Sequence, residues 1–253
     1  MLLIPWLTGC GVARRLDGKE MLLLLATLML FLTQTQLMNM VRLRFATAPD
    51  FRAVTRIRIL MILFGCVATL AVLLLIVLYH RLALVLFGVP AVILTGISIL
   101  LVHRKLDRSL WGQILASAGL SLGAPLAYYV ARGILGRLAL ELWVVNSLFF
   151  LGGVFYVQLK IDALPKRAQL ITLATRFRFA SRMLALDVTI LALVFVMLRA
   201  GSMSPRSVLA FAPTLIQAII GTIRLNRPAK LKRVGIISTV HSILFAGILI
   251  WLA

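Results

Sequence analysis

The residue best suited to chemistry in this sequence is Asp187, which lies five residues past Arg182 inside an apolar run. In a helix this spacing gives about 7.5 Å of depth and about 140° of rotation, so the two side chains face different directions. An unpaired carboxylate near the centre of a membrane helix costs on the order of 3 kcal/mol. We therefore interpret Asp187 either as half of a buried structural pair or as a functional acid. By depth, the candidate partners on other helices are Lys160, Arg233 and His241.

Two further polar residues, His241 and Asn146, also lie within apolar runs. A histidine at such a depth can relay protons near neutral pH. Alternatively, its neutral imidazole bonds to a neighbouring backbone or hydroxyl group. Asn146 is expected to hydrogen-bond between helices, a contact that contributes about 0.6 to 2 kcal/mol. The same structural role is expected of Gln34, Gln36 and Asn39.

Basic residues are concentrated between the apolar runs, and two groups of them are dense enough to bind an anion. Orientation in the membrane and contact with anionic lipids explain such residues without a dedicated site. The functional alternative is that several of them converge on a phosphate or diphosphate head group, for which arginine is geometrically suited. The first group is Arg42, Arg44, Arg52, Arg56 and Arg58, and the second is Lys160, Lys166, Arg167, Arg176, Arg178 and Arg182.

The composition requires an integral membrane protein. The 253 residues include 27 Lys and Arg but only 7 Asp and Glu, 62% are hydrophobic, and the mean hydropathy is +1.07. These values exclude a water-soluble enzyme, a disordered chain and a disulfide-framed secreted domain. The net charge of +20 is explained by membrane topology, so no nucleic acid partner is expected. Neither a phosphate-binding Gly-rich loop, a Ser/His/Asp triad, a CxxC pair nor a histidine cluster occurs, so neither a metal nor a cofactor is predicted.

Hydropathy predicts an all-α fold, a polytopic transmembrane helical bundle of about nine spans in a single domain, 1–253. The first run is too short to cross a core of about 30 Å by itself. A re-entrant segment or missing upstream residues would account for it. The predicted spans lie near 1–12 (partial), 20–40, 57–79, 82–103, 110–131, 138–160, 183–199, 207–224 and 234–253.

The distribution of basic residues predicts the orientation. Alternate connections, starting with the second, hold 19 of the 27 Lys and Arg, so these connections are placed in the cytoplasm. The N-terminus is then cytoplasmic and the C-terminus external. Within the long connection 161–182, a stripe at helical spacing predicts an amphipathic helix at the membrane surface. The stripe consists of Leu170, Leu173, Ala174 and Phe177.

The predicted fifth span has a stripe of small residues and a proline. Small residues at steps of four allow a neighbouring helix to approach closely, so we interpret the stripe as a packing surface. Pro125 lacks the N–H that would pair with the carbonyl of Ser121, which predicts a kink or break there. The stripe consists of Gly119, Gly123, Ala127 and Ala131.

Several motifs across nearly the whole chain resemble the YwiC-like family of bacterial membrane proteins. They are Arg108-Ser109-Leu110, Ser121 to Tyr128 (SLGAPLAY), Trp143, Asn146, Phe149-Phe150, Gly153 to Val157 (GVFYV), Lys232-Arg233-Val234-Gly235 and His241-Ser242. The resemblance implies a multi-pass protein of the bacterial cytoplasmic membrane and no established activity. Members begin with a basic and acidic segment ahead of a run like Met1 to Pro5, which suggests a start further upstream. Members also tend to have an acidic residue near Ser238, which this chain lacks.

A second, architectural resemblance is to the UbiA superfamily of intramembrane prenyltransferases. It rests on nine helices, a cytoplasmic N-terminus and long connections after spans two and six. In that superfamily, Asp-rich motifs on those connections hold magnesium and a prenyl diphosphate. Here Asn39 is followed by basic residues, and the second motif keeps Asp162 but has Gln158 in place of its other acid. A lone carboxylate is a poor magnesium site, so magnesium-dependent transfer is disfavoured.

The leading hypothesis is therefore a protein that binds membrane lipids and an amphipathic anionic ligand at its cytoplasmic side. One alternative is a divergent prenyl transferase with Gln158 and Asp162 near the diphosphate. Another is a proton-coupled small-molecule transporter that uses Asp187 and His241, and a third is a membrane assembly factor. The sequence contains no signal for an oligomeric state. The ligand-binding residues of the leading hypothesis are Arg42, Asn146, Arg176, Arg178, Arg182, Asp187 and His241.

Overall fold

The computed structural model describes residues 2–43, 51–106, 109–201, 205–227 and 231–252. Within these ranges the regular structure is helical and contains no strand, which confirms the all-α prediction. Short 3₁₀ segments lie at Arg167–Gln169 and Pro205–Phe211. The α-helices are α1 Leu3–Ala13, α2 Gly18–Leu43, α3 Phe51–Tyr79, α4 Leu84–His103, α5 Leu110–Ser121, α6 Gly123–Arg132, α7 Arg137–Ala163, α8 Leu173–Phe179, α9 Ser181–Arg199, α10 Ala212–Ile223 and α11 Leu231–Leu252.

The described residues form seven helices long and apolar enough to cross a membrane. These are α2, α3, α4, the pair α5 and α6, α7, α9 and α11. Two shorter apolar helices, Leu3–Ala13 and Val208–Ile223, occupy the first and eighth predicted spans. The α-helical part of the second of these, α10, has 12 residues and is about 18 Å long, well short of a bilayer core of about 30 Å.

Helix α1 lies in the middle of the bundle although it has only 11 residues. It packs against α6 and α11 and also contacts α7 and α2. Ile4 and Val12 join the apolar cluster formed with α7, α9 and α11. Trp6 and Cys10 join a second cluster formed with α2, α3 and α4. The helix therefore connects the two halves of the structure.

The small-residue stripe on α6 is the surface on which α1 lies. A Cβ at Gly123 would lie 3.5 Å from the Cβ of Pro5 and 3.6 Å from the backbone nitrogen of Trp6, and Ala127 is fully buried. Gly9 on α1 meets the same surface, with no room for a Cβ between it and α6. The packing interpretation of Gly123 and Ala127 is confirmed, because both helices approach through small residues.

The predicted fifth span is divided between two helices at Leu122. The backbone N–H of Leu122 donates to the carbonyl of Gly119 at 3.3 Å, a tighter turn than in an α-helix. Pro125 lies one turn further on and provides no donor for Ser121, as the sequence predicted. The break turns α6 toward α1, so the proline contributes to the packing of α6 against α1.

Candidate functional site

A small cavity lies between α7, α9 and α10, and Asp187 forms part of its wall. Its volume is about 30 Å³, and a water molecule needs about 10 to 15 Å³. It therefore has room for a ligand the size of one or two water molecules. Most of its wall is apolar, including Phe149 and Phe211. The polar side chains that line it are Tyr156, Asp187, Thr214 and Gln217.

Asp187 projects from the second turn of α9 against the backbone of α7. Its Oδ1 atom lies 3.6 Å from the position that a Cβ on Gly152 would occupy. Its Oδ2 atom is buried and has no hydrogen-bond partner among the described residues. Since Gly152 has no side chain, the carboxyl group can lie directly against α7.

Gln217 on α10 is another polar residue in the wall of the cavity. Its Nε2 atom is buried and, in the described part of the chain, has no hydrogen-bond partner. An amide nitrogen donates and a carboxylate oxygen accepts, so water in the cavity can accept from Gln217 and donate to Asp187. The cavity is thus suited to water, a proton or another very small ligand rather than to a head group.

Neither Lys160 nor His241 is the partner of Asp187. The Nζ atom of Lys160 donates to the carbonyl of Gly221 at 2.6 Å, and Nδ1 of His241 lies 2.8 Å from the carbonyl of Ile237 in its own helix. The side chain of Arg233, the third predicted candidate, lies outside the described residues. No ion pair to Asp187 is formed by the side chains that the structure describes.

Lys160 and Arg176 instead satisfy the C-terminal end of α10. The last four carbonyls of a helix have no partner within it. Here the carbonyl of Ile223 accepts from Nη1 of Arg176 at 2.7 Å, and that of Gly221 accepts from Lys160. The other two carbonyls accept from the backbone of the following turn. Both cations also interact favourably with the negative end of the helix dipole.

Arg176 uses its whole guanidinium group in this way. Its Nε donates to the carbonyl of Leu170 at 3.0 Å and its Nη2 to that of Ile171 at 2.6 Å. The side chain therefore ties α8 to α10. An arginine that is predicted to bind an anionic head group is here committed to three backbone carbonyls.

The other residues of the predicted ligand site do not converge on the cavity. Asn146 is fully buried. Its Oδ1 lies 3.3 Å from Oγ1 of Thr8, and its Nδ2 donates to the carbonyl of Leu142 at 2.8 Å. It thus contacts α1, which agrees with its expected interhelical role. Arg42, Arg178 and Arg182 are exposed at the ends of their helices.

The residues of the predicted diphosphate site, Gln158 and Asp162, lie one turn apart on α7, and neither lines the cavity. Gln158 accepts a hydrogen bond of 2.7 Å from Nε2 of Gln113 on α5, whereas Asp162 is exposed in the last turn of α7. Across the described ranges, no group of three or more His, Cys, Asp or Glu could hold a metal ion.

Sequence reasoning missed Tyr156 and Gln217. Gln217 is an amide inside an apolar run, the same signal that identified Asn146. Its relation to Asp187 depends on α9 and α10 packing on the same part of α7, which residue spacing does not reveal.

Replacing Lys160 with methionine should destabilise the protein. The side chain of Lys160 is buried, so the change leaves the carbonyl of Gly221 without its charged donor. We expect a loss of about 1 to 2 kcal/mol in the free energy of unfolding, measured by denaturing-detergent titration in micelles. The matched control is Lys105→Met, since Lys105 is exposed, and its change should stay within about 0.5 kcal/mol. Equal stability of the two variants would contradict the capping role.

Comparison with known proteins identifies the family but no characterised relative. No curated protein and no solved structure matches the chain. The model of the YwiC-like protein family matches residues 1–128, which extend from α1 into α6. The Asp187 cavity lies beyond the matched residues, whereas the packing of α1 on α6 lies within them. The match covers about half of the chain, and this multi-pass membrane protein therefore belongs to the YwiC-like family.

Proposed function

We propose that this protein is a proton-coupled membrane transporter in which Asp187 binds the proton. The observation that supports the proposal is the buried Oδ2 atom of Asp187, which faces neither a cation nor a donor among the described residues. In this proposal the protein lies in the bacterial cytoplasmic membrane, with the ends of α7 and α10 and the start of α9 toward the cytoplasm. The chain acts there as a single domain.

A proton is the ligand that best suits this cavity. An unpaired carboxylate within the bilayer costs on the order of 3 kcal/mol, and binding a proton removes the charge. The cavity of about 30 Å³ accommodates a proton and a water molecule without any movement of the helices. Gln217 can hold that water through its unpaired Nε2 atom. In the proposed transport cycle, the proton moves between this water molecule and Asp187 as the protein changes conformation.

An anionic head group is less compatible with this cavity than a proton. Asp187 would repel it, and Arg176 is already bound to three carbonyls. His241, part of the transporter hypothesis, bonds to its own helix and has no place in the proton site.

A second candidate function is anionic lipid binding at the surface of α8. Leu173 and Phe177 on the predicted stripe are 55% and 40% exposed, as expected for residues that face the membrane interface. Arg178 and Arg182 are exposed beside them and could contact phosphate groups. Neutralising both arginines should weaken binding to anionic vesicles. Unchanged binding would exclude this function.

The proposed proton site can be tested by chemical labelling with a hydrophobic carbodiimide. The reagent enters the bilayer, where the acid O–H of a protonated carboxyl adds across its C=N bond and the product rearranges to a stable acylurea. We expect modification at Asp187 by peptide mass mapping and its complete absence in Asp187→Asn. The control Asp162→Asn changes an exposed acid of the same region and should leave the labelling intact. Absence of label at Asp187 in the wild type would contradict the proposal.

Transport itself is tested in proteoliposomes. Acid-driven uptake should be screened with a panel of small organic solutes in wild type, Asp187→Asn and Asp162→Asn. The transporter proposal requires uptake that depends on the proton gradient, is lost in Asp187→Asn and persists in Asp162→Asn. Uptake that continues in Asp187→Asn would remove Asp187 from the mechanism.

A further inference from the structure

A second, larger cavity opens between α4, α6 and α7, toward the opposite end of the bundle from α8. Its volume is about 300 Å³, at the lower limit of the range of about 300 to 1,000 Å³ that is typical of small-molecule sites. We call it the α4–α7 groove. Its walls are apolar, and they include Leu86, Phe87, Pro90, Leu135, Leu140 and Trp143. Such a groove suits a hydrocarbon chain.

Arg81 stands beside this groove, in the short connection between α3 and α4. Its guanidinium lies 6.0 Å from the ring centroid of Tyr129, which is 6.3 Å from that of Phe87 in the groove wall. Its Nη1 atom is also in contact with Gly133, three residues before the groove residue Gly136. The cation therefore lies one aromatic ring, that of Tyr129, away from the groove wall at Phe87.

The guanidinium of Arg81 has no anionic partner in the described part of the chain. Its Nε atom is buried and has no hydrogen-bond acceptor there. The three acids of this end have other contacts: Glu141 pairs with Arg137 at 3.1 Å, and Asp17 and Glu20 both lie near Lys19. A partly buried guanidinium without an acceptor is costly, so the site favours an incoming anion.

The N-terminus of α4 adds to the positive potential at this position. The helix has 20 residues and begins at Leu84, three residues after Arg81. The first N–H groups of the helix are already bonded, from Leu84, Val85 and Leu86 to the carbonyls of Arg81, Leu82 and Ala83, so α4 contributes only the positive potential of its dipole. The group that would bind a phosphate is the guanidinium of Arg81.

We propose that the α4–α7 groove binds a phosphate-bearing lipid, with the phosphate on Arg81 and one hydrocarbon chain along the groove. The ligand is a lipid rather than free phosphate because the cation and the apolar groove adjoin. This site is separate from the exposed arginines of α8 and from the Asp187 cavity. It does not depend on the proposed transport function.

The test is thermal stability of the purified full chain in detergent with added lipid. The probes are phosphatidylglycerol, phosphatidylcholine with the same acyl chains, and inorganic phosphate. We expect phosphatidylglycerol alone to raise the Tm, by at least about 4 °C at saturation. An equal shift with phosphatidylcholine, a full shift with inorganic phosphate, or no shift would each overturn the proposal.

Two variants test whether the rise in Tm with phosphatidylglycerol arises from binding in the α4–α7 groove. Arg81→Gln removes the phosphate contact, and Gly136→Phe fills the groove. Gly136 has an extended backbone, with φ −125° and ψ −175°, and a Cβ there meets only Ile134 at 4.0 Å, so the variant should fold. Both should lose the shift with phosphatidylglycerol. Retention of the shift in Gly136→Phe would overturn the proposal even if Arg81→Gln does not fold.

Two control variants separate this site from the others. The double change Arg178→Gln, Arg182→Gln removes exposed charge near α8, and Asp187→Asn removes the acid of the small cavity. Asp187→Asn should keep the full shift with phosphatidylglycerol, and the double variant should keep the part of the shift that Arg81→Gln loses. Loss of the shift in the double variant, together with its retention in Arg81→Gln, would assign the lipid to α8 and overturn the proposal.

Discussion

Replacing Gly9 with alanine should destabilise the protein by about 3 kcal/mol, the upper end of the range for an overpacked core. An added Cβ would overlap the carbonyl oxygen of Ala124 and come within 2.7 Å of the Cβ of Ala127. These atoms belong to the backbone and to a short side chain of α6, so rotation of a side chain cannot relieve the clash. We expect α1 to be displaced from its position between α6 and α11. The free energy of unfolding, measured by denaturing-detergent titration, should show the loss.

The matched control is Gly247→Ala in α11. A Cβ at Gly247 meets no atom within 4 Å, so the change adds helix propensity without a clash. It should stabilise the protein by up to about 1 kcal/mol. If Gly9→Ala and Gly247→Ala have similar stabilities, α1 does not lie against α6 in the way described.

The sequence predicted the fold class and the long helices because a membrane imposes a single requirement on every span. Each must satisfy its own backbone and present an apolar surface about 20 residues long. Helices α3 and α4 present apolar side chains to the surrounding membrane: Leu70 and Val92 are 59% and 72% exposed on the protein surface. The place of α1 could not be derived in this way. Its run is short, and its burial depends on close approach to α6 through Gly9.

The candidate site was predictable only in part. Depth along α9 was enough to select Asp187, because the cost of a charge depends on its distance from the membrane surface. Its neighbours Tyr156 and Gln217 depend on which helices pack together. Arg176 shows a further limit, since its partners are backbone carbonyls of Leu170, Ile171 and Ile223. Such acceptors cannot be recognised until the ends of the helices are known.

Charged residues buried at the far end of the bundle follow the same rule as Arg176: each is bonded to backbone groups. Glu20 is fully buried, and its Oε2 accepts the backbone N–H of Asp17 at 2.7 Å. This contact caps the start of α2.

Lys19 lies 3.8 Å from Glu20 Oε1 and donates to the carbonyl of Ala131 at 3.3 Å. The backbone carbonyl of Glu20 also accepts from Nε1 of Trp6 at 3.1 Å. Helices α1, α2 and α6 therefore meet at one acid.

Replacing Glu20 with leucine should cost about 3 kcal/mol of unfolding free energy, because it removes both the buried carboxylate beside Lys19 and the acceptor of the Asp17 N–H. Lys19 then keeps only the exposed carboxylate of Asp17, at 3.7 Å. The side chain of Lys19 is only 11% exposed, so water cannot fully take the place of the carboxylate. The control Asp17→Asn alters the other acid near Lys19, which is 64% exposed, and should change stability by less than about 1 kcal/mol. Denaturing-detergent titration of both variants provides the comparison. A small loss in Glu20→Leu would mean that Asp17 and the carbonyl of Ala131 are sufficient partners for Lys19. It would also mean that α2 is positioned by the apolar cluster of Trp6 and Leu23 rather than by the acid.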